Sequence, residues 1–570
     1  MKGGRICFAS EILKKVFFQS NMLVPPAKAQ RLQRSWAEDF RNRALALIDE
    51  ERFAPMYCPD NGRPNRAVET VLGVHILKEM FDLTDEEALE QLEFNLLWHH
   101  ALRLDIEETH LPQKTLHNFR DRLMDYDGGR VAFEETTDRI IEALGLNTGK
   151  QRLDSTHIMS NIATLTRLGL FCETIRYFLR ALRQSHQDLA EIVPPGLVRR
   201  YLKEEGESTS YEDARSGDGR RRLSVCARDL YRLVDLFRGT AVAWLEEYRL
   251  LERLLREQCH VGGHNDGRPG DDDDDAEEGK VPIALKEPKD VRSDSLQSPY
   301  DPDVTYSGHK GKGYEVQVAE TCHEENICQV ITLVKVTPSS GSDADVTIPA
   351  IDSLAERNAQ PDELFVDTLY GSGRNALDAE RRRTELVSPV AGPVPNKADE
   401  AKNDVNRDFT AADFQIDVTA DKPAVCPAGQ QAMKEYRECA TSERVELQFA
   451  KEVCEACSLR SHCPVKFNCK LGVYLLEVDL IKVNIERRRR AKASGEFRKR
   501  YAVRAGIEGT NSELKRAHGF GRLRVRGGRR VRLAIYLKAL ACNIKRMIHA
   551  LQTHDSQADT AKQTLVAVPT

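Results

Sequence analysis

The stretch Tyr501–Gly519, "YAVRAGIEGTNSELKRAHG", decides how the rest of the chain is read. Tyr501, Arg504, Glu508, Asn511 and Lys515 recur at spacings of 3, 4, 3 and 4. At about 100° per residue these side chains share one helical stripe roughly 80° wide. Such spacing normally carries aliphatic residues toward a core. Here it carries a ring, two cations, a carboxylate and an amide, so the stripe is expected to face a polar partner. Glu513 points about 140° away from Glu508 and falls outside the stripe. Gly506 and Gly509 bracket Glu508 and are expected to let a partner's backbone come close.

The stretch lies in the most basic part of the chain. Residues 482–549 hold 21 Lys+Arg against 4 Asp+Glu, a balance of +17 in a protein of formal net charge -5. The runs "RRRRAKASGEFRKR" (487–500) and "GRLRVRGGRRVR" (521–532) flank the stripe. Charge alone fits a solvated basic face as well as a polyanion partner. The position around a carboxylate favours phosphate contacts, which give salt-dependent and largely sequence-independent affinity.

At 570 residues, 41% hydrophobic and 30% charged, the chain has room for about two to four domains. Its N-terminus lacks a long apolar segment with a cleavage site, and no apolar run reaches membrane-spanning length. This predicts a cytoplasmic, nucleoid-associated protein without a membrane partner. Fourteen cysteines in so long a chain do not describe a disulfide-stapled domain. Clustered, they read as metal ligands: Cys426, Cys454, Cys457 and Cys463 suit a closed, structural Zn²⁺ site, with Cys439, His462 and Cys469 as substitutes. A set of reduced thiols is the plainer alternative.

Periodicity divides the chain. Residues 1–145 read as a helical N-terminal domain, with a capping box at Thr84 and Glu87 and a short helix capped by Thr115 that bears His117, Asn118, Arg120 and Arg122. Those exposed groups fit helix-turn-helix-like DNA reading and an ordinary bundle equally well. Residues 146–164 and 295–394 read as an α/β core: a strand in "RLDSTHI", a hairpin around "HEEN", and strands in "DELFVDTLY" and "RTELVSPVA". Between them, 165–294 is a helical insert ending in an acidic loop, with its Asp/Glu run at 271–278. Residues 395–480 form a β-rich, cysteine-bearing insertion, 481–552 closing helices at roughly 486–518 and 529–552, and 553–570 a disordered tail.

Three carboxylates stand where α/β proteins carry active sites. Asp154 lies within the first strand, Asp367 ends the apolar "LFVD", and Glu508 sits on the polar stripe. Asp362, at the start of the same strand as Asp367, reads as a turn residue. Converging carboxylates repel unless cations hold them, and oxygen ligands favour Mg²⁺ or Mn²⁺. A pair of such ions clamps an in-line phosphoryl displacement. A strand-end Asp also serves simply as a cap, and Glu508 pairs equally well with Arg504.

The stripe has the form Y-x-x-R-x-x-x-E-x-x-x-x-x-x-K, filled by Tyr501, Arg504, Glu508 and Lys515, and it resembles the signature of DDE transposases of bacterial insertion sequences. "LDSTHIMSNIA" and "FVDTLYGS" resemble the segments bearing the two aspartates, "SPYDPDVTYSGHKGKGYEVQVAETC" the segment after the insert, and residues 62–135 the helical N-terminal domain. The resemblance spans about residues 35–550. It implies an RNase H-like core, with Asp154, Asp367 and Glu508 as catalytic ligands of two Mg²⁺ ions. Tyr501, Arg504, Lys515, Asn511 and Arg516 are then DNA-binding residues, and the cysteine cluster is retained. The implied activity is cleavage of double-stranded DNA at the element's ends and joining of the 3'-hydroxyls to target DNA, by a homodimer in a synaptic complex. A nuclease that cuts without joining, or an inactive DNA-binding copy, are the alternatives.

Overall fold

The structure, a computed structural model, describes residues 25–58, 66–202, 211, 218–262, 283–391, 408–439, 441–493 and 495–566. The acidic run at 271–278 lies outside the described residues.

The N-terminal region is helical as expected. Helices α1 (Val68–Met80), α2 (Asp85–Phe94), α3 (Gln113–Asp125) and α4 (Gly128–Leu144) form it together with shorter turns. Thr84 and Glu87 close the capping box reciprocally, at 3.2 and 2.7 Å. Helix α3 begins directly after Pro112, so Thr115 lies inside its first turn and does not cap it. The groups expected to read DNA are partly committed within the protein. Arg120 grips Asp85 with two bonds, His117 lies 3.3 Å from the same carboxylate, and Arg122 stacks over Tyr57.

The alternating "KQRLDSTHI" becomes the central strand β1 (Lys150–Ile158). The sheet is completed by β2 (Gly311–Thr321), β3 (Ile331–Pro338), β4 (Glu363–Phe365) and β5 (Glu385–Val387) in the order β3-β2-β1-β4-β5. A short strand, Thr305–Ser307, pairs with the start of β2. β2 runs antiparallel to both β1 and β3, forming the hairpin expected around "HEEN", while β4 and β5 run parallel to β1. The parallel strands are short and mostly apolar, as suits strands covered on both faces.

Each face has its own core. On one face, Ile158, Val316 and Val318 pack with Ile507, Leu514 and Ile544 from the C-terminal helices and with Leu72, Leu77 and Phe133 from the N-terminal helices. The presumed N-terminal domain and the end of the chain therefore share one hydrophobic interior. The opposite face carries Leu153, Ala319 and Leu364 against Ile351, Leu354 and Ala376. The insert closes a separate core with α5 (Arg167–Ser185), α6 (Gly219–Phe237) and α7 (Glu246–Gln258). Helices α8 (Thr347–Glu356) and α9 (Gly373–Arg381) cover the second sheet face.

The β-rich insertion is a four-stranded antiparallel sheet, β6 (Lys434–Arg437), β7 (Arg444–Phe449), β8 (Lys466–Asn468) and β9 (Val473–Asp479), in the order β8-β9-β7-β6. The helix expected over 486–518 is instead three: α10 (Leu480–Ala493), α11 (Gly495–Tyr501) and α12 (Gly506–Ala517), with a 3-10 turn at Ala502–Ala505 before α12. Glycine is a weak helix former, and the Val503 carbonyl is taken by the Arg152 guanidinium at 2.8 Å. The last helix, α13 (Gly528–Val566), runs well into the stretch expected to be a disordered tail, because 553–566 contains neither Gly nor Pro.

Candidate active site

Asp154 and Asp367 come together through strand register. β1 and β4 pair Arg152 with Phe365, so Asp154 and Asp367 each stand two residues beyond the last paired position, near enough for the charge of Asp367 to act on Asp154. Val366 still pairs with the Val387 carbonyl at 3.1 Å, so Asp367 stands at the end of the pairing. There it fixes its own turn: Oδ1 accepts from the Leu369 and Tyr370 amides at 2.8 and 3.2 Å. The turn is tight behind it. A Cβ on Gly371 would lie 1.8 Å from Ser388 Oγ, and Arg488 Nη1 donates to the Gly371 carbonyl at 2.9 Å.

Helix α12 brings the third carboxylate. Ile507, Thr510 and Leu514 are buried, which leaves Glu508, Lys515 and Arg516 exposed. Glu508 is 72% exposed, at the first turn of the helix, where the macrodipole favours a negative charge. Arg504 joins the parts: its Nη2 lies 3.1 Å from Asp154 Oδ1 and its Nη1 3.7 Å from Glu508 Oε1. Tyr501 donates its hydroxyl to the Val366 carbonyl at 3.1 Å and stacks on Phe497. Burial pushes the Asp154 carboxyl above the ordinary carboxylate range; Arg504 opposes this, while Asp367 and Asp343 add to it. Burial likewise raises the Tyr501 hydroxyl. A crowded set of carboxylates with a cation between them is the electrostatic profile of a cation site.

Two of the carboxylates, Asp154 and Glu508, flank Arg504, and the three do not share a single point. Among the described residues, the one set of three ligand-type atoms within 4.8 Å of one another is Glu513, His518 and Cys542. The donors nonetheless fit a hard divalent ion: all are carboxylate oxygens, and a guanidinium already bridges two of them.

Several expected DNA contacts change on inspection. The polar stripe does not lie on one continuous helix, since Tyr501 ends α11, Arg504 sits in the 3-10 turn, and Glu508 belongs to α12. The Oδ1 of Asn511 is buried without a hydrogen-bond partner. Gly506 opens no path for nucleic acid, because the Arg152 guanidinium lies over it; Gly509 does face open space. The arginine run 487–490 turns inward. Arg487 bonds the Ala412 and Phe414 carbonyls, Arg488 the Gly371 carbonyl and Ser388, Arg489 the Ala391 carbonyl, and Arg490 Asp413 and Glu486. Burial lowers Arg488 to about 10. Arg498, Lys499, Lys515, Arg516, Arg522 and Arg530 do remain exposed. Sequence reasoning missed Asp343, whose Oδ1 accepts from Gln317 at 3.0 Å and whose charge reaches Asp154; its place beside "SDAD" gives no periodic signal.

In the insertion, Cys426, Cys454, Cys457 and Cys463 line one cavity, with Phe449 and Leu459 beside them. Cys439 and Cys469 are exposed, and His462 pairs with Asp408 at 3.1 Å. Burial, together with Cys463, Cys426 and Cys457, pushes the Cys454 thiol up to about 11. Four thiols facing one space match the donor set of a structural Zn²⁺ site.

Two family models match this chain: "Transposase DDE domain" over residues 425–548 and "Transposase domain (DUF772)" over residues 30–122. Both are transposase domains. Together the matches support a DDE transposase of the insertion-sequence type. The DDE-domain match includes Glu508 and the cysteine cavity; the other covers α1, α2 and most of α3. The chain is also 29% identical over 159 residues to "Uncharacterized protein ORF8 in nfe locus" of Rhizobium meliloti, covering 25% of this chain and 73% of that protein. No solved structure matches. No helix among the described residues is long and apolar enough to cross a membrane.

Proposed function

We propose that the protein is a transposase that cleaves double-stranded DNA at the ends of its insertion sequence and joins the freed 3'-hydroxyls to target DNA. The observation that carries this reading is Asp154 on β1 with Asp367 two residues past the end of the neighbouring parallel strand β4, and Glu508 linked to Asp154 through one guanidinium. The mixed sheet with helices on both faces supports an RNase H-like core. Asp154, Asp367 and Glu508 would hold a pair of Mg²⁺ or Mn²⁺ ions, which would supply charge to stabilise the attacking and leaving oxygens of a phosphoryl group.

The chain's own residues then divide the work. Arg504, drawn off Asp154 and Glu508, binds a phosphate flanking the cut. Lys515 and Arg516, about two turns along α12 from Glu508 and exposed, neutralise the same strand. Tyr501 holds the strand-end carbonyl of Val366 and presents its ring beside the carboxylates. The cysteine cavity holds a structural Zn²⁺ that fixes the insertion between the second and third carboxylates. Pairing of two DNA ends calls for a homodimer.

Incubation of the protein and Mg²⁺ with the DNA flanking its own gene, followed by mapping of nicks, tests the reading. Cuts at the element boundary are expected, and random nicking would count against it. A pre-cut end supplied with target DNA separates joining from the second reading, a nuclease of the same chemistry.

A further inference from the structure

The face of β1 that carries Asp154 also carries Arg152, two residues earlier. Arg152 Nε donates to Glu320 Oε1 at 2.7 Å, and its Nη1 donates to the Val503 carbonyl at 2.8 Å. Glu320 sits opposite Arg152 in the β1–β2 ladder and is fully buried. Its second oxygen accepts from Thr510 Oγ1 of α12 at 2.6 Å and from Arg546 Nη1 of α13 at 2.9 Å. Arg546 also donates to Glu513 Oε2 through Nε and Nη2, at 3.0 and 2.7 Å, and to Thr510 at 2.7 Å. Two guanidiniums and two carboxylates thus close a neutral cluster joining one strand of the hairpin to the helix of Glu508. Glu513 also lies near His518 and Cys542, but its carboxylate is already engaged by Arg546.

The cluster has a keyhole. A Cβ on Gly506 would lie 1.8 Å from Arg152 Nη1 and 2.4 Å from its Cζ, so the guanidinium rests directly on the helix backbone. Arg152 stands two residues before Asp154, and Gly506 two residues before Glu508. The contact that locks strand to helix is therefore two residues from each carboxylate.

We propose that Glu320 is a positioning residue: with Arg152 and Arg546 it keys α12 to β1 and so sets the height of Glu508 against Asp154. The inference rests on the proposed ion-binding role of those carboxylates. Buried charge clusters add little net stability against apolar replacements, but breaking one relaxes a defined geometry. Partners that orient metal ligands typically account for about 10–100-fold in ion affinity.

The test is Mn²⁺ binding to the full chain, followed by electron paramagnetic resonance, for the native protein, Glu320→Gln, Gly506→Ala and Asp154→Asn. Glu320→Gln is expected to keep its far-ultraviolet circular dichroism and its duplex DNA affinity while Mn²⁺ affinity falls about tenfold or more. Gly506→Ala leaves every charge in place and is expected to give the same loss, so it carries the test if the glutamine variant does not fold. Folded variants that bind Mn²⁺ as the native protein does would overturn the proposal alone. Native protein and Asp154→Asn binding Mn²⁺ equally would remove the ion site itself, and this inference with it.

Discussion

Arg504 lies 3.1 Å from Asp154, and each side chain is only 18% exposed. A half-hidden ion pair in the middle of a central strand is an unusual place to keep a cation unless the carboxylate must stay charged despite burial. The same guanidinium extends to Glu508, which is open to solvent. One arginine thus holds apart two groups that a divalent ion would draw together.

Asp154→Asn, Asp367→Asn and Glu508→Gln should each lower DNA cleavage on the order of 10²–10³-fold, since each removes a group that acts on developing charge. Duplex affinity, dominated by exposed arginines and lysines, should stay near that of the native protein. A nicking assay alongside a gel-shift titration at fixed salt checks both parts.

Arg504→Ala should make stability more dependent on divalent ions. Without the guanidinium, Asp154 loses the group that opposes its burial and its repulsion from Asp367. An ion that binds only the folded state stabilises it by about 2.7 kcal/mol at a hundred times its dissociation constant. Thermal melts with and without saturating Mg²⁺ should show a larger rise for the variant than for the native protein.

Cys454→Ala or Cys457→Ala should release zinc and loosen the insertion. Loss of a thiolate opens a tetrahedral site, and metal affinity contributes directly to folding of small modules. Metal analysis of purified protein should fall from about one zinc per chain toward none. Proteolysis should then begin within residues 408–480.

Glu79 makes an acid-sensitive link between α1 and α13. It is buried between Lys78 and Lys538, at 2.8 and 2.6 Å. Burial alone would raise its carboxyl, but the two lysines hold it down at about 2. A depressed carboxyl contributes stability above its unfolded range, and that contribution fades as pH falls from about 4.5 toward 2. Glu79→Gln should therefore cost on the order of 2–3 kcal/mol near neutral pH and almost nothing near pH 2. Chemical denaturation across that window, read by circular dichroism, measures the difference.

Local patterns foretold much of this. Alternation announced β1, the apolar run before Asp367 announced β4, and the Thr84–Glu87 spacing announced the start of α2. The cysteine spacing picked out the four thiols that line one cavity and left the substitutes outside it. What the sequence hid were long-range partners. The arginines at 487–490 look like a phosphate patch because a charge count cannot see the carbonyls of Gly371, Ala391, Ala412 and Phe414 folding over them. Gly506 looked like an opening because the residue that fills it stands more than three hundred positions earlier. Helix α13 outran its expected end because polar composition is a weak stop signal where no Gly or Pro intervenes.

The interior shared by α1, α4 and α13 also bears on how the protein is made. Helices α1 and α4 leave the ribosome with Leu72, Leu77 and Phe133 uncovered, and the segment that covers them follows more than 390 positions later. Native closure therefore waits until α13 has been made. A copy of the gene interrupted before α13 yields helices with an unsheltered greasy side, fit for degradation rather than for DNA.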